Sequence, residues 1–203
     1  MPPKKKKKPK KKAVATALLA LLSATFASVS LTPTDTFKSC NGKERWDVKT
    51  LQDTAASSMD FSQVTSTTVK SLSDIQISFN PNREAEFFRH DEEKKVFRIE
   101  NCKIDTVLNE SHADGDYHLV IKLDGATMIG EIPDFHCQNN KESPAIEIFK
   151  KVRTDFQPLL TAKRYRQHKF DITGVAFFDP PHHQTGRSKN GIELHPILEI
   201  KIH

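Results

Sequence analysis

From residue 95 onward, apolar and polar positions repeat with periods that divide the chain into elements. Residues 96–108 are rich in Val, Ile, Phe and Thr, and their alternation slips near Asn101, which predicts one long curved strand with a bulge. In residues 117–123, Leu119, Ile121 and Leu123 alternate with His118, Val120 and Lys122. Asp124 and Gly125 then supply a tight turn into a strand over 127–132. Next, the period lengthens. Ile146, Phe149, Val152, Phe156 and Leu159 or Leu160 recur at helical spacing, with Ser143 expected as N-cap and Pro144 as first helical residue. Lys163, Arg164 and Arg166 follow, where the helix dipole favours positive charge. Two further strands come last. Phe170, Ile172, Gly174, Ala176 and Phe178 mark one of them. In the other, Ile192, Leu194, Leu198, Ile200 and Ile202 share a face opposite Glu193, His195, Glu199 and Lys201.

Three strands, a helix and two strands, with a long first strand, is the order of an OB-fold, in which the helix plugs one end of a five-stranded barrel. A plain α+β sandwich gives the same string. The expected fold is therefore mainly β: an OB-fold-like barrel over 95–203, with its helix between the third and fourth strands. Residues 32–94 read as an N-terminal extension. It holds a polar linker, a short strand or cap around Trp46, Val48 and Leu51, and a Ser/Thr-rich loop with a short helix near Val69 and Leu72.

The first 31 residues change the picture of charge and compartment. Eight lysines among residues 4–12 run into an apolar stretch over 13–31, the layout of an export signal, with Ala27 or Ser30 as cleavage points. The alternative is a membrane anchor, since nineteen residues would reach roughly 28 Å as a helix, although Thr16, Ser23, Thr25, Ser28 and Ser30 dilute the run. A polyanion-binding or nuclear-localisation patch is a third reading of the lysines. The formal net charge of +5 rests on them, because the rest of the chain carries 23 basic and 26 acidic residues. A secreted or periplasmic location is expected, with membrane contact only through 13–31 if that segment is retained. Of three cysteines, Cys102 lies in an apolar strand pattern, whereas Cys40 and Cys137 sit in polar, turn-rich surroundings and are the candidate disulfide.

Unusual polar residues gather in two loops that flank the ligand-binding face of an OB-fold, 109–115 and 179–191. The first leads through His112, Asp114, Asp116 and His118. The second holds Asp179, His182, His183, Gln184, Arg187 and Asn190, and runs into Glu193 and His195. Ordinary turns and solvated loop histidines account for much of this. If the two segments converge, imidazoles and carboxylates suit a divalent metal, with His118, His182 and His195 as nitrogen donors. No H-E-x-x-H, C-x-x-C, G-x-S-x-G or glycine-rich phosphate loop is present. Nucleic-acid binding is disfavoured by the acidic balance beyond the lysines, and only Tyr117 and Phe177 are candidate stacking platforms.

The segments ERWDVKT, DGDYHLVI, MIGEIPDFHC, VAFFD and NGIELHP together resemble a family of exported bacterial proteins that has no assigned activity. The resemblance covers about residues 40–200 and implies export and an OB-like barrel, without catalytic roles. Matching positions are Glu44, Arg45, Trp46 and Lys49 in the first block, Asp114, Asp116 and His118 in the second, and Glu131 in the third. Asp179, Gln184, Gly186, Asn190, Glu193, His195 and Pro196 complete the match. The turn Asp114-Gly115-Asp116 is also similar to the DGDT turn of thermonuclease-like OB-folds, with Tyr117 in place of the threonine and no counterpart of that family's paired arginines.

The leading functional expectation is a non-enzymatic binding or interaction module using the face between 109–118 and 179–195. Its candidate residues are Asp114, Asp116, His118, Glu131, Asp179, His182, Gln184, Asn190, Glu193 and His195. The alternatives are a metal-dependent hydrolase acting on phosphodiesters, and a single-strand nucleic-acid-binding barrel.

Overall fold

The computed structural model describes residue 40 and residues 45–77, 88–109, 114–137, 140–180 and 184–203. Six strands form: β1 Val64–Thr67, β2 Val96–Asn109, β3 Tyr117–Leu123, β4 Ala126–Ile132, β5 Phe170–Phe178 and β6 Ile192–Ile202. The helices are α1 Trp46–Lys49, α2 Val69–Ser73 and α3 Ile146–Thr161. The expected leader, its cleavage points and the 13–31 segment lie outside the described residues, as do His112, His182 and His183. Among the described residues, no helix is long and apolar enough to cross a membrane.

β2 makes closure possible because it is long enough to serve two partners. Its second half pairs antiparallel with β3, and its first half pairs antiparallel with β5. Between them, the register shifts over Ile99–Cys102, and Asn101 takes a left-handed conformation that Asn tolerates well. The N–H of Asn101 donates to Asp171 Oδ1 at 3.0 Å, so the bulge leaves no orphan donor there. The β3–β4 hairpin turns on Asp124 and Gly125, both at positive φ, as a two-residue turn of matching twist requires. β4 pairs parallel with β6, and β6 antiparallel with β5. The order β2-β3-β4-β6-β5, closed by β5 onto β2, is the OB order expected from the sequence.

Ile99, Ile104, Leu119, Ile121, Met128, Phe170, Ile172 and Leu194 fill the barrel, and α3 closes it with Val152 and Phe156. Two details differ from the pattern reading. α3 begins at Ile146 with Ala145 in the N-cap position, while Ser143 Oγ accepts the Ala145 N–H and donates to the Thr50 carbonyl. Ser143 and Pro144 therefore belong to the turn before the helix. In β6, the two residues between Leu194 and Ile197 stand against the single Val175 on β5, so Ile197 takes the inward place and Leu198 joins a second apolar cluster outside the barrel.

That second cluster, with Leu51, Ala56, Val96, Phe149 and Val175, seats the N-terminal segment on the barrel. Trp46, Val48 and Leu51 belong to a helical turn and its exit rather than a strand, and the helix expected near Val69 and Leu72 is α2. β1 was not visible in the pattern and adds to the sheet parallel to β2. Two buried ion pairs lock this segment. Arg45 donates to both oxygens of Glu93 at 2.6 Å, and Glu93 Oε1 also accepts the Phe178 N–H. Arg89 grips Asp53 at 2.7–3.0 Å and donates to the Val48 and Glu93 carbonyls. The Cys40–Cys137 disulfide forms as expected, joining residues 97 apart, and Cys102 is a buried free thiol.

Candidate metal centre

Tyr117, Leu119 and Ile121 point into the barrel, so Asp116, His118 and Val120 lie on its outer side. Strand register carries this outer row onward. His118 is opposite Glu131 on β4, Ile129 is opposite Glu193 on β6, and Glu193 is opposite Phe177 on β5. His195 follows Glu193 on the same face.

Alternation along β6 puts Glu193 and His195 on its outer face, and the structure shows that this face is covered. Asp116, Asp179, Glu193 and His195 are each 1% exposed, with His118 and Glu131 buried beside them. Two covers exclude water. Gly186, at φ +85°, lies so close over the sheet that a Cβ there would meet Val120 Cγ1 at 2.4 Å. From the other side, Lys49 Nζ reaches within 3.7 Å of Asp179 Oδ1 and 5.3 Å of the Phe177 ring centre, and Arg45 packs on the same ring.

Within this layer, His195 stands between two carboxylates. Its Nε2 is 3.5 Å from Asp116 Oδ2, and its Nδ1 is 3.4 Å from Glu131 Oε2, yet neither nitrogen has a hydrogen bond among the described residues. The other Glu131 oxygen is 3.2 Å from His118 Nδ1. Asp116, Glu131 and His195 can each present one ligand atom with all three atoms within 4.8 Å of one another. Two ligand atoms bonded to one tetrahedral ion at about 2.0–2.1 Å lie roughly 3.3–3.4 Å apart, close to the 3.5 Å between His195 Nε2 and Asp116 Oδ2 and the 3.4 Å between Nδ1 and Glu131 Oε2, of which one ion uses only one because it takes a single imidazole nitrogen. A cation held by one nitrogen of this imidazole would be shared with a neighbouring carboxylate, leaving the other nitrogen to donate to the second carboxylate.

Electrostatics separates the carboxyls. Burial pushes Asp116 up to about 6, against the opposing contact with His195. Burial would also raise Glu131, but the charge of His195, the hydrogen bond from His118 and the charge of Lys49 outweigh it and draw Glu131 down to about 2. Glu193 is held well above its ordinary value by burial and by the charges of Glu131 and Asp179. In a site of such low polarity, neighbouring carboxyls do not all ionise without a compensating cation.

Asp116 is also fixed from behind. Its Oδ1 accepts the Asp134 N–H at 2.8 Å, in a turn that ends at the disulfide, where the Cys137 N–H donates to the Asp134 carbonyl at 3.0 Å. Arg153 donates to the Gly115 and Ile132 carbonyls and stacks on Tyr117.

Not every sequence candidate joins the cluster. Asp114 sits at the rim and accepts the Asp116 N–H. Asn190 ties its loop down, donating to the Leu72 and Ile75 carbonyls and accepting the Ile192 N–H. Gln184 is half-buried, with Oε1 unpaired among the described residues. Tyr117 and Phe177, read as outward platforms, are both buried. Asp134 and Arg153 carry no signal in the sequence pattern, because one lies in a turn and the other beside the helical stripe. Lys49 was visible only as part of the ERWDVKT block. All five blocks noted in the sequence deliver a side chain to this layer: Lys49, Asp116, Glu131, Phe177 and Glu193 each come from a different one. Comparison with protein-family models, curated proteins and solved structures finds no match.

Proposed function

We propose that this is an exported β-barrel protein that binds one divalent transition-metal ion through Asp116, Glu131 and His195. The observation that carries the reading is His195: a fully buried imidazole whose two nitrogens face buried carboxylates at 3.4 and 3.5 Å without a well-aligned hydrogen bond among the described residues. Two oxygen donors and one imidazole suit zinc or manganese, and the absence of thiolate from the set disfavours copper(I). Asp116 and Glu131 would neutralise the ion, and His118 would orient Glu131 through its second oxygen. Export is supported by the disulfide, a bond typical of oxidising compartments, and by the lysine-rich leader. The resemblance to exported bacterial proteins belongs to the same proposal, since its blocks supply the layer.

Three protein ligands leave a fourth position for water, which favours a metal-dependent hydrolase as the second reading. The cover formed by Gly186 and Lys49 weighs against it, because a substrate would have to displace packed residues. Elemental analysis of the purified protein after equilibration with zinc or manganese tests the first reading. About one ion per chain is expected, lost in His195→Ala; an ion-free wild-type protein would refute it. Phosphodiester turnover by the loaded protein, abolished in His195→Ala, would promote the hydrolase.

A further inference from the structure

We propose that the Cys40–Cys137 disulfide positions Asp116 as a metal ligand, so that the centre reaches full affinity only after the disulfide has formed. This rests on the metal-binding reading above. The connection is short and runs through named atoms. Asp116 Oδ1 accepts the Asp134 N–H at 2.8 Å. The Asp134 carbonyl in turn accepts the Cys137 N–H and the Asn140 side-chain amide, both at 3.0 Å, and Asn140 N–H donates to the Cys137 carbonyl. Cys137 Sγ also lies 3.6 Å from the carbonyl oxygen of Asp114, two residues before the ligand. The turn that orients Asp116 is thus clamped at its far end by a covalent bond to a residue 97 positions away.

A carboxylate ligand has two oxygens and a rotatable stem, and the hydrogen bond to one oxygen decides where the other points. Loss of such an outer partner costs metal sites about 10–100-fold in affinity. Disulfide formation takes two protons and two electrons from the thiols of Cys40 and Cys137. The acceptor is a disulfide-carrying oxidant, itself reduced to two thiols. A chain still in a reducing compartment would hold the ion weakly, and one that has been exported and oxidised would hold it tightly. Metal loading would therefore follow export.

The test is a double-mutant cycle read by zinc affinity, with a chromophoric chelator as competitor. It compares wild type, C40A/C137A, D116N and the triple variant. Opening the cysteine pair is expected to weaken zinc binding about 10–100-fold when Asp116 is present, and by less than about 3-fold in the D116N background. Equal losses in both backgrounds would overturn the proposal, since the disulfide would then act through general stability. If wild type binds no zinc, the metal reading itself falls. Near-ultraviolet circular dichroism reports whether C40A/C137A folds. If it does not, N140A loosens the same turn with the disulfide closed, and the same cycle against D116N is expected to show the same coupling. Additive losses for N140A and D116N would overturn the proposal.

Discussion

Gly186 carries more of the cover than its size suggests. Its backbone is in the left-handed region, and any Cβ would strike Val120. Gly186→Ala should destabilise the protein by roughly 1–3 kcal/mol in denaturant unfolding, through backbone strain and overpacking together. Glu193 makes the opposite prediction. Its carboxyl is held well above the ordinary range by burial and by the charges of Glu131 and Asp179, so Glu193→Gln keeps the shape and removes only a charge that this site disfavours. The thermal midpoint of that variant should match or exceed wild type, and a large drop would show that Glu193 is ionised. Cys102 should resist alkylation in the folded protein, because burial pushes its thiol up to about 12. These residues show the limit of sequence reading at this scale. The His/Asp/Glu content of the two loops was legible, but alternation along β6 says only that Glu193 and His195 share a face, and does not say whether water or protein lies against it.

Among the elements, those with a sustained period were legible. The seven-residue β3 and β4, the nine-residue β5 and the sixteen-residue α3 each repeat their pattern several times, and even the β2 bulge appeared as a slip at Asn101. α1 and β1 span four residues each, too short to establish a period, and the polar Val64–Thr67 strand is held by pairing with β2 rather than by an apolar face. The bulge gives a testable pH dependence. Burial would raise Asp171, but the Asn101 N–H and His203 outweigh it, and the carboxyl is lowered below its ordinary 3.8. Its contribution is therefore present above that value and is lost as the pH falls through the folded value. Asp171→Ala should cost about 1 kcal/mol at neutral pH, less in high salt, and the gap to wild type should close in acid. A gap that persists unchanged at pH 2 would assign the cost to packing instead.

For the whole molecule, the barrel order and the disulfide follow from strand order and cysteine surroundings, and the centre depends on both. The start of β3, β4 and β6 bring Asp116, Glu131 and His195, the proposed ligands, to one outer face, the N-terminal segment and the 184–191 loop seal it, and the disulfide clamps the turn behind Asp116. No single stretch of sequence displays this, because the contributing blocks span residues 45 to 195 and meet only through register. The most direct test is anomalous diffraction at the zinc edge from crystals of zinc-equilibrated protein. One strong peak is expected about 2.0–2.2 Å from donor atoms of Asp116, Glu131 and His195. A difference map without a peak among these three residues, or with zinc only on surface histidines, would contradict it.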